Sequence, residues 1–240
     1  MATAVDAGAR TPLHVAYDLV ASKLCQSGKG VCMTSFVLNG IIVALTFMAW
    51  VMLLSGVGSD SLDGVDAPRS LRRFAVLSNL FSAVVAVLYL VWTLDNAGVP
   101  PAWLLALKLS ASASLLLTLA ASLTILVPLV GWRHLFVGGN LLTRLVLPLL
   151  ACADCVMFVP VGQLPLPVTL VSAVPCALYA IWYMGWIMRH RGERDLSRYD
   201  IYLLLRWGRA KAPVVAGAIV LASWLLGLVI WSLSGLFAMR

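Results

Sequence analysis

The chain has 240 residues, of which 62% are hydrophobic and only 11% are charged. A soluble domain is typically about 45–50% apolar and about 25% charged, so this composition indicates an integral membrane protein. The net charge of +7 is better explained by loops on the cytoplasmic side of a membrane than by nucleic acid, and no nucleic-acid partner is expected.

Six runs are long and apolar enough to cross a bilayer as helices, since about 20 residues are needed for about 30 Å of hydrocarbon. The runs are continuous rather than alternating, which favours helices over a transmembrane barrel. The predicted helices lie near residues 34–56, 74–95, 102–130, 141–160, 165–188 and 213–236, after a polar tail at 1–33. The sequence therefore predicts an all-α integral membrane protein whose six helices form one bundle within residues 34–240.

The distribution of basic residues predicts the orientation of the bundle. With both termini outside, the inner side holds eleven basic residues and the outer side holds four. The inner ones are Arg69, Arg72, Arg73, Arg133, Arg189, Arg191, Arg194, Arg198, Arg206, Arg209 and Lys211; the outer ones are Arg10, Lys23, Lys29 and Arg240. An excess of Lys and Arg marks cytoplasmic loops, so we expect both termini outside.

The longest polar loop, residues 189–211, carries many of these basic residues. Ser197 and Asp200 resemble a capping box just before an apolar run, which predicts a short helix near 198–209 lying in the interface. The simplest interpretation is ordinary anchoring of this loop at anionic headgroups, and a dedicated headgroup site is the alternative.

Neither a metal nor a cofactor is expected from the motifs. The five cysteines make no metal-ligand pattern, and no phosphate-binding glycine loop, zinc helix or nucleophile elbow is present. Cys25 and Cys32 would pair only if the tail faces an oxidising space.

The small residues between Gly227 and Gly235 are typical of close contacts between helices, so an oligomer is possible.

Two charges near one end of the predicted helices have matching depths. Lys108 lies six residues inside the third helix, and Asp154 lies six residues before the end of the fourth. Both are therefore about 9 Å below the same membrane surface, on consecutive antiparallel helices. We expect a buried ion pair, with Asn39 nearby, because pairing offsets the desolvation of each charge. The alternative is that Lys108 extends along its own stem to the headgroups.

Arg144 belongs to the opposite end of the predicted bundle. It lies about 6 Å below the inner surface, too far from Asp154 to pair with it. Ser78 and Asn79, near the start of the second helix, lie at a similar depth. Arg144 either reaches the headgroups or faces inward and forms a polar site with Ser78 and Asn79.

Two segments carry short motifs. "RRFAVLSNLFSAVVAVLYL" contains an F-x-x-x-S-N-L pattern, and "NLLTRLVLPLLACADCVMF" contains N-L-L followed by a proline and an aspartate. The matching residues are Phe74, Ser78, Asn79, Leu80, Asn140, Leu141, Leu142, Pro148 and Asp154. In these motifs and in its helix number the chain resembles the bacterial Pr-six-Pr membrane proteins, distant relatives of the androgen-induced (FAR-type) family. This resemblance implies a location in a bacterial inner membrane.

The resemblance implies an intramembrane hydrolase of fatty-acid esters, with a threonine nucleophile on the second helix and a histidine on a later one. The matching positions hold Ala75 or Val76 and Arg144, and an arginine cannot act as a general base. We therefore expect no confident catalytic residue, and a non-catalytic relative in which Arg144, Asn79 and Ser78 bind a lipid carboxylate or phosphate. Two alternatives remain: a hydrolase that uses Ser78, and a small transporter with Lys108 and Asp154 on its path.

Overall fold

The computed structural model describes residues 29–55, 73–95, 100–132, 136–190 and 211–238, and these ranges contain six helices long and apolar enough to cross a membrane. The predicted all-α six-helix fold class is confirmed, and the chain is a multi-pass membrane protein by the length and composition of its helices. The predicted interfacial helix at 198–209, most of the basic loop, Cys25 and most of the amino-terminal tail lie outside the described residues.

The six helices have bounds close to the predicted ones. They are α1 (Lys29–Ser55), α2 (Phe74–Asp95), α3 (102–130), α4 (Gly139–Met157), α5 (Leu166–Arg189) and α6 (Ala212–Ala238). The largest difference is in α1, which begins at Lys29 rather than at residue 34 and so takes in the last part of the predicted tail. We call the end where α1, α3 and α5 begin the Asp154 end, and the opposite end the Arg144 end.

The most buried of the six helices is α3, which lies at the centre of the bundle and contacts α2, α4, α5 and α6. Its half nearer the Asp154 end is rich in small side chains, which let neighbouring helix backbones approach closely. These residues are Ala106, Ser110, Ala111, Ser112, Ala113 and Ser114, and all are buried. Small side chains on every face therefore explain why this helix, rather than a more apolar one, is surrounded by the others.

An apolar layer crosses the middle of the bundle and separates its two polar ends. It is formed by one or more side chains from each of the first four helices, namely Ile42, Ala86, Leu115, Leu147 and Ala151. Each of these residues is at most 2% exposed. The polar groups of the Asp154 end and of the Arg144 end are therefore separate sites, divided by this packed layer.

Three helices depart from α-helical winding just before a proline. A π turn at Ser122–Leu126 precedes Pro128, and another at Leu142–Val146 precedes Pro148. The first eight residues of α5, Leu166–Ala173, form a 3-10 helix that ends before Pro175. A proline has no backbone N–H and so removes a hydrogen bond of the preceding turn. The winding of these helices therefore changes just before Pro128, Pro148 and Pro175.

Side chains of α6 satisfy backbone carbonyls in the irregular segment that joins α4 to α5. Trp231 donates from Nε1 to the carbonyl of Leu164 at 2.9 Å, and Ser234 donates from Oγ to that of Val159, also at 2.9 Å. Non-helical backbone at membrane depth is tolerated only where protein groups replace water as partners. The polar residues of α6 therefore hold this segment in the bundle.

Two glycines of α6 are used in contacts within the chain. A Cβ on Gly227 would lie 2.1 Å from Oγ of Ser172, and a Cβ on Gly162 would lie 2.2 Å from the backbone nitrogen of Gly235. The small residues at Gly227 and Gly235 therefore have an intramolecular use, and the oligomer considered from the sequence stays a prediction.

Candidate functional site

The structure brings Lys108 and Asp154 together at the Asp154 end. Nζ of Lys108 lies 2.6 Å from Oδ2 of Asp154, and the two side chains are 5% and 0% exposed. Two residues of α1 also bind the carboxylate, since Ser35 donates to Oδ1 at 2.7 Å and Asn39 donates to Oδ2 at 3.1 Å. The carboxylate of Asp154, a residue of α4, thus accepts hydrogen bonds from two residues of α1 and pairs with Lys108 of α3.

The ammonium group of Lys108 is also fully surrounded by protein. It donates to Oδ1 of Asn39 and lies 4.6 Å from the centre of the Tyr89 ring, which provides a cation–π contact. Asn39 therefore binds both members of the ion pair, with its carbonyl on Lys108 and its amide on Asp154. Together with Tyr89, this network connects α1, α2, α3 and α4. Both of its charged groups have protein partners.

Two members of this network, Ser35 and Tyr89, were not identified from the sequence. Ser35 lies one helical turn before Asn39 and so shares its face, which is a signal that the sequence carries. Tyr89 lies six residues before Asp95, the end of α2, and so has the depth of Lys108. Because both charges are satisfied inside the protein, the network supports a role in holding the helices together more directly than a role on a transport path.

Ser78 packs against α3. Its hydroxyl lies 3.1 Å from the carbonyl of Ala75 and 3.2 Å from Oγ1 of Thr118, which itself donates to the carbonyl of Ser114. None of these partners is a general base. Within the described ranges the only histidine is His190, at the end of α5, whose Nδ1 lies 2.9 Å from the carbonyl of Trp186.

Asn79 binds the backbone of the π turn in α4. In this turn the N–H of Leu147 bonds to the carbonyl of Leu142, five residues back, so it is not available to Thr143. The next residue, Pro148, has no N–H, and the carbonyl of Thr143 is left without a donor from its own helix. Nδ2 of Asn79 donates to this carbonyl at 3.1 Å, and also to that of Ala75 at 2.6 Å.

We expect Asn79→Leu to destabilise the bundle by about 1–3 kcal/mol, because a buried carbonyl would then lack a donor. Unfolding in detergent with increasing dodecyl sulfate measures the effect. Pro148→Ala returns an N–H to the turn, so the double variant should regain part of the loss. If the loss from Asn79→Leu is the same with Pro148 and with Ala at that position, the proposed link between the two residues is wrong.

A small cavity of about 20 Å³ lies between α1, α2 and α4 at the Arg144 end. In the part of the chain that the structure describes, ten residues line it: Ala49, Trp50, Leu53, Arg73, Ala75, Val76, Gly139, Asn140, Thr143 and Arg144. Gly139 allows the start of α4 to approach α1, since a Cβ there would lie 3.3 Å from the carbonyl of Ala49. Ser78 and Asn79 are not among the lining residues, so the site expected from the sequence is divided, and only Arg144 of the three reaches the cavity.

Both charged residues among the described lining residues of the cavity are arginines. Arg73, at the start of α2, joins Arg144 there, and the ten lining residues include no acid. A guanidinium group presents a planar fork of N–H donors that matches carboxylate and phosphate oxygens. Sequence reasoning placed Arg73 among the inner-side charges but missed its position beside Arg144, which depends on how α2 and α4 are rotated.

Comparisons with protein-family models, with curated proteins and with solved structures gave no match to this chain. The resemblance to the Pr-six-Pr proteins stays a prediction from its two short motifs. Function must therefore be argued from the two sites alone.

Proposed function

We propose that the protein is a non-catalytic, multi-pass membrane protein that binds an anionic lipid at the cavity beside Arg144. The observation that carries this proposal is the presence of two arginines, Arg73 and Arg144, on one cavity between three helices. Lipid phosphates and carboxylates are the anions available at membrane depth, and arginine binds both through paired hydrogen bonds.

The depth of the cavity supports a lipid headgroup as the ligand. Arg144 is five residues from the start of α4, or about 8 Å along the helix. Aromatic residues lie at the same end of the bundle, where Trp182 and Trp186 stack at 6.1 Å and Trp132 and Phe136 lie 4.6 Å apart. Tryptophan is enriched at the headgroup level, so the arginines have the depth at which lipid anions occur.

The orientation belongs to the same proposal. The excess of basic residues around the Arg144 end favours the cytoplasmic side, with both termini outside and the chain in a bacterial inner membrane. Anionic lipids of the cytoplasmic leaflet would then face the cavity, and the basic loop at 189–211 would add attraction for them.

The two alternative functions have less support. A hydrolase that uses Ser78 needs a general base, and the hydroxyl partners of Ser78 are a carbonyl and Thr118. A transporter that uses Lys108 and Asp154 needs these charges to be accessible, and they are 5% and 0% exposed. Both remain predictions, and neither is favoured by a specific contact.

We expect Arg144→Leu to lose at least about tenfold in affinity for anionic lipid, the loss that accompanies about 1.4 kcal/mol. Native mass spectrometry of protein released from phosphatidylcholine vesicles that contain phosphatidic acid measures the retained lipid. Arg189→Leu is the matched control, because it removes a positive charge from the same end without touching the cavity. Equal lipid retention by the wild type and Arg144→Leu would refute the proposal, as would equal losses in both variants.

A further inference from the structure

Helix α4 is the shortest and the least apolar of the six described spans. It carries two charged residues, Arg144 and Asp154, and both oppose the transfer of a helix into lipid. On insertion scales, the cost of one aspartate at the centre of a helix offsets the favourable contribution of about six leucines. The composition of α4 therefore gives this helix little free energy of its own for crossing a bilayer.

The aspartate of α4 depends on a partner inside the membrane. Asp154 pairs with Lys108, which lies six residues after the start of α3, or about 9 Å along that helix. A lysine can extend its long stem toward the headgroups while its helix enters the membrane, whereas the short side chain of an aspartate cannot. The partner is therefore needed more by Asp154 than by Lys108.

In the residues that the structure describes, the groups that bind the carboxylate of Asp154 all precede it in the chain. Ser35 and Asn39 of α1 donate to it at 2.7 and 3.1 Å, and Nζ of Lys108 lies 2.6 Å away. A chain is synthesised from its amino terminus, so the helices that carry these partners are made before α4. The order of the sequence thus allows the earlier helices to receive α4.

We propose that α4 is placed across the membrane by its contact with α3, and that the ion pair between Lys108 and Asp154 is the interaction that places it. The two helices then enter the membrane as an antiparallel pair joined by residues 131–138. The network at the Asp154 end is thus an assembly device that fixes the side on which the segment between α4 and α5 lies. This inference does not depend on lipid binding at the Arg144 end.

The side of the membrane from which residue 163 can be labelled tests the proposal, because Gln163 is exposed between α4 and α5. Gln163→Cys is made in the full-length chain with the five native cysteines changed to alanine. Newly made chains in intact cells are labelled with a membrane-impermeant maleimide, before and after permeabilisation. Lys108→Leu should lower labelling from the original side by about tenfold, since an unpaired aspartate opposes insertion by more than the roughly 1.4 kcal/mol to which that factor corresponds.

The matched comparison is the double variant Lys108→Leu/Asp154→Leu, which removes the same lysine and also removes the acidic charge from α4. It should return residue 163 to its original side. Trp132→Cys is a second reporter, because Trp132 lies at the end of α3, before α4, and is 55% exposed. The side from which residue 132 is labelled should be the same in all three chains.

Labelling of residue 163 from the original side in Lys108→Leu would overturn the proposal, because α4 would then cross the membrane without the ion pair. A double variant in which residue 163 stays on the opposite side would overturn it as well, since Lys108 would then act by a route other than Asp154. A change of side at residue 132 would show that Lys108 orients α3 and would also count against the proposal. Labelling directly after synthesis lets an unstable variant report its topology before it is degraded.

Discussion

Asp154→Ala is expected to destabilise the bundle by about 3–5 kcal/mol, the typical cost of removing one partner of a buried ion pair. Lys108 is 4% exposed and would lose its carboxylate partner, while Asn39 and the Tyr89 ring would remain beside its amine. Ser35 would lose its acceptor as well. Dodecyl sulfate titration of the purified protein in mild detergent, followed by tryptophan fluorescence, measures the free energy of unfolding.

The matched control is the double variant Lys108→Met/Asp154→Leu, which removes both charges and keeps the volume. Replacing a buried ion pair with apolar residues is often neutral or stabilising, so this variant should regain most of the lost stability. A double variant as unstable as Asp154→Ala would show that the network holds the helices by more than charge compensation. Wild-type stability in Asp154→Ala would contradict the burial of the pair.

Gly227→Leu is expected to cost about 3 kcal/mol or more, at the upper end of the range for overpacked interiors. Even a methyl group at this position would lie 2.1 Å from Oγ and 2.5 Å from Cβ of Ser172. Relief requires α6 to move away from the 3-10 segment of α5, which would stretch the 3.1 Å hydrogen bond from Ser223 to the carbonyl of Ser172. The same dodecyl sulfate titration measures the loss.

Gly217→Leu provides the control on the same helix, because a Cβ there meets nothing within 4 Å and the position is exposed on the bundle surface. Leucine facing lipid is favourable by a few tenths of a kcal/mol, so this variant should be as stable as the wild type or slightly more stable. Similar losses from both substitutions would mean that α6 does not pack against α5 at Gly227.

The two ends of the bundle differ in how their polar groups are satisfied. At the Asp154 end the ion pair has protein partners from α1 and α2, in the form of Ser35, Asn39 and the Tyr89 ring. At the Arg144 end a small cavity remains beside two arginines. The ion pair is enclosed by protein groups, whereas the two arginines line a cavity between three helices, which is why we place the functional site at the Arg144 end.

The candidate site was only partly predictable. Because the rise of a helix is fixed at about 1.5 Å per residue, the sequence predicts the depth of each residue in the bundle. It placed Lys108 at the level of Asp154. It placed Ser78 and Asn79 at the level of Arg144. Depth does not give the rotation of a helix about its axis. Ser78 faces Thr118 of α3, Asn79 faces the backbone of α4, and Arg144 faces the cavity, although all three lie at similar heights.

The sequence by itself determined the class of protein, the number of spans and the height of each charge, because these follow from apolar run length and helix geometry alone. Only the tertiary structure decided which side chains meet. Rotation and crossing of the helices depend on packing, such as the close approach at Gly227 and the small residues of α3. The partnership of Asn79 with Thr143 also required α2 to be rotated so that Asn79 faces the π turn before Pro148, and this rotation depends on packing.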